Sequence, residues 1–290
     1  MPPSWRWRAL RLLRVVGLRA VPVAPGAVLV ARRDSALNVP VRGDGAALVI
    51  DPDRVRRGWY GLEKRLAHDL VNRHVATVLD QYDVSCVLDV GANKGQYAVA
   101  LRAAGYQGHI VSFEPVPRDF EVLAARAAKD PRWTAHRLAL GREDGELEMN
   151  VVPGTLSSFL PSTQFGAGRY ARLQAPEVVT APVRRLDGIL DEVTAHIPDP
   201  RIYLKLDTQG FDLEAFAGLG DRAADLVGMQ SEVALMEIYD GMPRLPEALA
   251  AYEAAGFEVT AFYPISRESR TGRVLEFDCV MVRASALGDG

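Results

Sequence analysis

The 290-residue sequence is poor in cysteine, and its two cysteines lie far apart. Cys86 and Cys279 each stand inside an apolar run, so we expect two buried, reduced thiols. Two cysteines at this separation exclude both a disulfide framework and a zinc site of the CxxC type. We therefore expect an intracellular protein located in the cytoplasm.

Excess basic charge and long apolar runs are missing as well. The formal net charge is −3, which gives no electrostatic reason to expect a nucleic-acid partner. No uncharged apolar run reaches the roughly 18 residues that a membrane-spanning helix requires. We therefore expect neither nucleic-acid binding nor a membrane span.

The N-terminus has a different composition from the rest of the chain. Residues 4–19 contain five arginines among tryptophan and leucine. On a helical wheel most of the arginines share one side and most of the leucines share the other. A basic amphipathic helix of this kind can lie on the anionic inner face of a membrane. Peripheral membrane contact through residues 4–19 is one prediction, and docking on a protein surface is the alternative.

The remaining sequence divides into an extension and one larger domain. Residues 1–58 combine the basic segment with a stretch of irregular or β character, and we assign residues 59–290 to an α/β domain. A helix is predicted over Trp59–Tyr82 from apolar residues at three- and four-residue steps. After it, apolar runs of strand length alternate with helical stretches. This alternation predicts a mostly parallel sheet with helices on both faces.

The segment DVGANKGQY, residues 89–97, is the first turn between a strand and a helix of this domain. Asp89 ends the strand, and glycines follow at positions 91 and 95. The dinucleotide fingerprint G-x-G-x-x-G is not met, because Asn93 and Gln96 stand where two of its glycines would be. Glu114 ends the next strand and could accept hydrogen bonds from ribose hydroxyls. An enzyme that binds NAD or a nucleotide sugar remains an alternative on these residues alone.

Several blocks of the sequence together resemble the FkbM-type methyltransferases. They include VLDVGANKGQYA, SFEPVP, LALGREDGELEM, VRRLDGIL, LKLDTQGFDLEAFAGL and MQSEVALMEIYDG, in that order. The resemblance covers roughly residues 84–283 and implies the Rossmann-like class I methyltransferase fold, with a mostly parallel seven-stranded sheet. It also implies S-adenosylmethionine as cofactor. The cofactor-binding residues carried over from it are Asp89, Gly91, Asn93, Gly95, Gln96, Tyr97, Glu114, Ala139 and Leu140.

Transfer of a sulfonium methyl requires alignment of the acceptor oxygen and removal of its proton. Asp207 is the first candidate for the base, and Lys205 faces the same side of the strand because side chains alternate. Glu232 is the second candidate, since an acid inside an apolar run needs a partner. We expect Ser158 and Tyr239 to contact the acceptor. For Lys205, Asp207 and Glu232, the alternative is that they form ion pairs that only order this region.

The resemblance implies an acceptor hydroxyl on a small molecule or on the sugar of a glycolipid or glycan. We predict no metal site, because the carboxylates show no diagnostic ligand spacing, although dependence on a divalent ion stays open. The other reading is a non-catalytic, membrane-associated module that keeps the methyltransferase fold. The presence of Asp89, Gly91, Asn93 and Glu114 favours the enzyme.

Overall fold

The computed structural model describes residues 18–287, apart from 25–26, 33–37, 44–45, 51 and 269. The chain divides into two compact units, Met1–Glu63 and Lys64–Gly290. Among the described residues, no helix is both long enough and apolar enough to cross a membrane.

The first unit contains two antiparallel hairpins. Their strands are β1 (Leu18–Ala24), β2 (Ala27–Arg32), β3 (Asn38–Gly43) and β4 (Ala46–Ile50). Most of the predicted amphipathic helix, residues 4–17, lies outside the described residues. Its last two residues, Leu18 and Arg19, belong to β1, so the predicted end of that helix is wrong.

Helix α1 spans Pro52–Gln81 and therefore begins seven residues before the predicted start at Trp59. Proline is favoured at the first position of a helix, because its fixed φ suits the helix and its missing N–H is not needed there. Gly58 and Gly61 lower the helix propensity of the first turns, which explains why the pattern underestimated the helix. The predicted domain boundary at residues 58 and 59 falls inside α1.

The second unit is built from ten further strands and six further helices. The strands are β5 (Cys86–Val90), β6 (His109–Phe113), β7 (Trp133–His136), β8 (Ala139–Leu140), β9 (Gly145–Val151), β10 (Glu177–Arg184), β11 (Ile202–Leu206), β12 (Leu226–Ala234), β13 (Glu258–Arg267) and β14 (Val274–Val282). The helices are α2 (Gln96–Ala103), α3 (Pro117–Ala127), α4 (Gln164–Arg169), α5 (Leu186–Thr194), α6 (Asp212–Ala217) and α7 (Leu245–Ala254).

A seven-stranded sheet of order β13-β14-β12-β11-β5-β6-β7 forms the centre of this unit. Within it β14 pairs antiparallel with both of its neighbours, and the remaining pairs are parallel. Every residue of β5 and β11 is buried, as a sheet covered on both faces requires. One apolar core packs β5 against α5, α6 and α7. The other packs the opposite face against α1, α2 and α3. The predicted mostly parallel sheet with helices on both faces is confirmed.

Strand order reverses between β5 and β11, because β6 and β7 continue to one side and β12 to the other. At such a reversal the loops that follow the two strands diverge and leave a crevice at their carboxyl ends, where ligands of open α/β sheets bind. The fold therefore places the segments after Val90 and Leu206 side by side.

A second, three-stranded sheet of order β8-β10-β9 stands beside the central one. The segment WTAHRLALG has the apolar pattern of a single strand, but the structure divides it between β7 and β8, which belong to different sheets. Residues 153–175 contain helix α4 and a 3-10 turn, Ala171–Gln174. Both cysteines are buried free thiols, as the sequence predicts.

Candidate active site

The turn after β5 passes in direct contact with the chain that leaves β11. Gly91 has φ of 75°, and a Cβ placed on it would stand 2.0 Å from the main-chain oxygen of Asp207. The amides of Gly91 and Ala92 both donate to the carbonyl oxygen of Phe113, at 3.1 and 3.0 Å. Glycine is required at position 91 because it alone tolerates both this φ and this approach.

Glu114, directly after β6, anchors the same turn. Its Oε2 accepts a hydrogen bond from the amide of Asn93, and its Oε1 accepts one from the amide of Val116, both at 2.8 Å. Only 4% of the residue is exposed. Burial raises the pKa of Glu114 to about 7, against the lowering effect of the two amides. Each carboxylate oxygen keeps a lone pair that could accept a ligand hydroxyl.

A cleft that is open to solvent lies beside Glu114, with about 620 Å³ of space between its walls and the solvent. We call it the main cleft. Its polar lining is Asn93, Gln96, Glu114, Thr155, Ser157, Asp207, Thr208 and Gln209. Its apolar lining includes Phe113, Val116, Leu138, Ala139, Leu140, Met149, Phe159 and Phe211. The rings of Phe159 and Phe211 lie 4.9 Å apart between centroids, so part of the cleft has an aromatic wall.

A buried chain of charges lies where β5 and β11 end. Lys205 Nζ is 3.3 Å from Asp89 Oδ1 and 3.2 Å from Asp207 Oδ2. Asp89 is fully buried, and its Oδ2 accepts a hydrogen bond from Ser112 at 3.3 Å. Burial raises the pKa of Asp89 more than Lys205 lowers it. Burial alone would lower the pKa of Lys205, but Asp207, Asp89 and Glu232 outweigh it and keep the amine charged.

A second cavity, of about 690 Å³ of empty space, lies on the other side of Asp207. We call it the acidic cavity. It is lined by His68, Val71, Asn72, Gly91, Ala92, Gln96, Tyr97, Ala100, Lys205, Asp207, Gln230, Glu232 and Asp278. Gly91, Gln96 and Asp207 line both cavities. The Asp207 carboxylate, 32% exposed, therefore stands at the boundary between them.

Burial raises the pKa of two carboxyl groups in the acidic cavity, Glu232 and Asp278. Burial raises the pKa of Glu232 well above its ordinary value, and the charges of Asp207 and Glu276 add to the effect. Burial also raises the pKa of Asp278 to about 6, although a hydrogen bond from Gln230 opposes it. The cavity thus presents several carboxyl oxygen atoms that can accept hydrogen bonds from a ligand.

Comparison with known proteins decides the reaction class. A family model described as the methyltransferase FkbM domain matches residues 89–259. The chain belongs to the FkbM methyltransferase family. Its reaction is methyl transfer, and the family implies S-adenosylmethionine as the methyl donor, as the sequence resemblance predicts. The alternative of an enzyme built on NAD or a nucleotide sugar is therefore set aside.

Individual relatives of this FkbM-family chain are distant. "Methyltransferase 1" of Beauveria bassiana (strain ARSEF 2860) is 25% identical over 198 residues, which cover 63% of this chain and 76% of that protein. The crystal structure of the methyltransferase FkbM from Methylobacillus flagellatus KT has a TM-score of 0.43 at 14% identity. That match covers 69% of this chain but only 44% of the Methylobacillus chain. Magnesium protoporphyrin IX methyltransferase from Synechocystis PCC 6803, solved with bound SAM, has a TM-score of 0.43 at 12% identity, covering 77% and 82% of the two chains.

The main cleft suits the cofactor that the family implies. Glu114 has free lone pairs for the two ribose hydroxyls, and Ala139 and Leu140 lie in the apolar part of the lining, which suits an adenine ring. Gln96, which is exposed, and Asn93 line the same cleft from the turn after β5. Within the described residues, no group of three or more His, Cys, Asp or Glu side chains is arranged to hold a metal ion.

Three residues predicted to bind cofactor do not line the main cleft of this methyltransferase. Asp89 is fully buried beneath the turn and pairs with Lys205, so it lines neither cavity. Tyr97 lines the acidic cavity instead of the main cleft, and its hydroxyl donates to Gln230 Oε1 at 3.2 Å. Gly95 lines neither cavity, and a Cβ there would come within 2.9 Å of Trp133 and Leu123. Gly95 is thus required for packing at the start of α2. A sequence pattern shows that Tyr97 and Gly95 belong to the turn but not which way each one faces.

Both residues predicted to contact the acceptor are buried. Ser158 is fully buried and donates from Oγ to the main-chain oxygen of Gln209 at 2.7 Å. The Tyr239 hydroxyl lies 2.9 Å from the carbonyl oxygen of Leu156 and 3.3 Å from Gln209 Oε1, and it can donate to either. Neither side chain lines the main cleft or the acidic cavity. Tyr239 instead lines a smaller cavity together with Asn150 and Leu156, and the contact of Ser158 and Tyr239 with an acceptor stays a prediction.

Sequence reasoning missed three residues that the structure brings into the site. Phe159 and Phe211 form the aromatic wall, and Gln209 joins the two candidate bases. Gln209 and Phe211 belong to LKLDTQGFDLEAFAGL, one of the blocks given above for the family resemblance, and Phe159 ends a further such block, SSF, at residues 157–159. Their position inside these blocks is the signal that could have identified them.

Proposed function

We propose that this chain transfers the methyl group of S-adenosylmethionine to a hydroxyl group of an acceptor bound in the acidic cavity, with Asp207 as the general base. One observation carries the proposal: Asp207 lines both the main cleft and the acidic cavity. A donor in the first and an acceptor in the second would therefore meet beside its carboxylate. Such alignment supplies most of the rate gain expected for a reaction of this kind.

When bound, S-adenosylmethionine supplies an activated methyl carbon on a sulfonium. As the acceptor oxygen bonds to that carbon, the carbon–sulfur bond breaks and its electron pair remains on sulfur, which gives S-adenosylhomocysteine. Asp207 takes the proton that the hydroxyl loses. Lys205 at Oδ2 and Gln209 at Oδ1 hold the carboxylate in place. Glu232 is the weaker candidate for the base, because it lines only the acidic cavity, whereas Asp207 lines both cavities.

The lining of the acidic cavity supports a sugar as the acceptor. Asp207, Glu232 and Asp278 offer several oxygen atoms that accept hydrogen bonds, and its cationic amine, Lys205, already contacts two carboxylates. A molecule with several hydroxyl donors satisfies such a surface better than an acceptor with one hydroxyl. We propose a sugar of a glycolipid or glycan. Membrane contact through residues 4–19 would bring the enzyme close to lipid-linked acceptors and stays a prediction.

The base assignment is tested with tritiated S-adenosylmethionine and extracts of glycolipids and glycans as the source of acceptor. We expect Asp207→Asn to lower the rate of label transfer about 10²–10⁴-fold, the usual contribution of a general base. The affinity for S-adenosylmethionine, measured by calorimetry, should stay within about threefold. Asp191→Asn is the matched control, because Asp191 is an exposed partner of Arg222 outside both cavities. Full turnover by Asp207→Asn would refute the assignment of Asp207 as the general base.

The nature of the accepting atom needs its own measurement. With carbon-13 in the transferred methyl, the NMR shift of the product separates an O-methyl from an N-methyl or a C-methyl group. An O-methyl signal on a sugar ring is the expected result. A methyl group on nitrogen or carbon would show that the reaction is not directed to a hydroxyl, even if Asp207 proves essential.

A further inference from the structure

Gln209 occupies an unusual backbone position at the end of β11. Its φ is 55°, in the left-handed region that residues with a side chain rarely adopt, and Gly210 follows with φ of 94°. A residue persists in this region when its surroundings fix it there, and such residues concentrate at functional sites. Here the main-chain oxygen of Gln209 accepts the hydrogen bond from buried Ser158.

The side-chain amide of Gln209 joins the two candidate bases. Its Nε2 donates to Asp207 Oδ1 and to Glu232 Oε2, both at 3.0 Å, which uses both of its hydrogens. The two carboxylate oxygens are therefore within about 6 Å of each other, because both contact the same nitrogen. Glutamine can do this because its amide carries two donors and no charge.

The two carboxylates fix which way the Gln209 amide points. Turning the amide over would place Oε1 against the carboxylates of Asp207 and Glu232, where two acceptors would repel. In the observed orientation Oε1 faces the Tyr239 hydroxyl, whose single proton can be donated either to Oε1 or to the Leu156 carbonyl oxygen.

The amide is also connected to the wall of the main cleft. Leu156 and Ser158, which contact Tyr239 and Gln209, alternate along the chain with Thr155, Ser157 and Phe159, which line the cleft. If cofactor binding shifted residues 155–159, the shift would therefore be passed through Gln209 to the Asp207 carboxylate.

We propose that Gln209 is a positioning residue that aims the Asp207 carboxylate at the boundary of the two cavities and keeps Asp207 and Glu232 at a fixed separation. The inference rests on the proposed function, because it takes Asp207 as the base. Without the amide, two carboxylates would face each other with no shared donor, and their repulsion would make the second proton harder to remove.

Other charged and titratable groups face this pair and belong to its titration. They are His68 on α1, Asp89 on β5, Lys205 on β11, Asp212 on α6, and Glu276 and Asp278 on β14. All of these groups are retained in every variant at position 209, so the variants differ only in the side chain that replaces the amide.

The test follows the carboxyl carbons of the full-length protein by carbon-13 NMR between pH 4 and pH 9. Signals of the pair are assigned with Asp207→Asn and Glu232→Gln. We expect Gln209→Ala to raise the titration midpoint of Glu232 by roughly one pH unit, because this carboxylate loses a hydrogen-bond donor. Gln209→Glu should raise that midpoint further, because it adds another carboxylate. Tyr239→Phe, which removes one hydroxyl, should give a smaller change in the same direction.

Gln107→Ala is the control, because Gln107 is exposed and its amide contacts only the Gly105 carbonyl oxygen among the described hydrogen bonds. Calorimetry with S-adenosylmethionine confirms that each variant is folded. A midpoint that is unchanged in Gln209→Ala, Gln209→Glu and Tyr239→Phe would overturn the inference. So would an equal change in the control.

Turnover separates this inference from the proposed function. If Asp207→Asn keeps full activity while the midpoint responds at position 209, the base assignment fails and the coupling through Gln209 stands. If Asp207→Asn is inactive and the position-209 variants titrate and turn over like the wild type, the inference alone fails. If Asp207 is the base and Gln209 positions it, Gln209→Ala should lower kcat about tenfold and leave the KM for S-adenosylmethionine unchanged.

Discussion

Glu114 should make binding of the cofactor ribose depend on pH near neutrality. Burial raises the pKa of this carboxyl to about 7, and its two oxygens already accept hydrogen bonds from the amides of Asn93 and Val116. A proton on either oxygen turns an acceptor into a donor beside an amide N–H. The protonated form therefore loses an internal hydrogen bond as well as an acceptor for the ribose hydroxyls.

The size of the effect follows from the fraction of Glu114 that is charged. With a pKa of about 7, roughly 3% of the carboxyl is ionised at pH 5.5 and nearly all of it at pH 8.5. If only the charged form binds ribose, the apparent Kd is the intrinsic Kd divided by that fraction. The Kd should therefore be roughly thirtyfold weaker at pH 5.5 than at pH 8.5. Ligand binding in turn lowers the pKa of Glu114, so protons are released on binding below pH 7.

Adenosine is the best probe, because it keeps the ribose and the base but has no amino-acid part that titrates in this range. We would measure its Kd by calorimetry at half-unit steps of pH and constant ionic strength. Glu114→Gln is the matched control: it removes the ionisable group and leaves one buried amide without an acceptor, at a cost of about 1–3 kcal/mol. Its binding should be weak at every pH.

A Kd for adenosine that stays constant from pH 5.5 to 8.5 would refute this reasoning. The same conclusion would follow if Glu114→Gln kept the pH dependence of the wild type, since another group would then be responsible. The charge of S-adenosylmethionine cannot account for either outcome, because adenosine does not carry its amino or carboxyl group.

Two further predictions concern the contact between β5 and β11. Gly91→Ala should abolish cofactor binding and destabilise the fold by about 3 kcal/mol or more, because its Cβ would stand 2.0 Å from the Asp207 main chain. The control Gly105→Ala, also at positive φ but with no atom within 4 Å of its Cβ, should cost only about 1 kcal/mol in urea unfolding. Lys205→Met should cost about 3–5 kcal/mol by leaving the Asp89 charge buried and unpaired. The double variant with Asp89→Asn should recover most of that stability, and an additive result would contradict the pairing.

The central sheet could be predicted from sequence because its strands are buried on both faces, which leaves short apolar runs between helical stretches. The main cleft could be predicted for a similar reason: its residues directly follow strands, as with Glu114 after β6. The split of WTAHRLALG into β7 and β8 could not be predicted. Trp133 and Leu140 are both apolar, and only long-range pairing assigns them to different sheets.

The faces of individual side chains were harder still to predict. Ser158 and Tyr239 lie in loops, where polar residues are usually taken to face solvent or ligand. Their burial depends on Gln209, whose positive φ arises from contacts distant in sequence and leaves no local pattern. Tyr97 belongs to the turn that lines the main cleft, yet the first turn of α2 carries it to the acidic cavity. Each of these residues is fixed by tertiary contacts.

Strand register explains why the chemistry is concentrated at Asp207. Lys205 pairs directly with Asp89 on β5 and with Gln230 on β12. A shift of the β5–β11 pairing by one residue would turn the aligned side chains to opposite faces of the sheet and separate Lys205 from Asp89. The lysine would then be buried among the apolar residues of the other face, at a cost of several kcal/mol. The ion pair therefore opposes incorrect register during folding, and the same register places the Asp207 carboxylate between the two cavities.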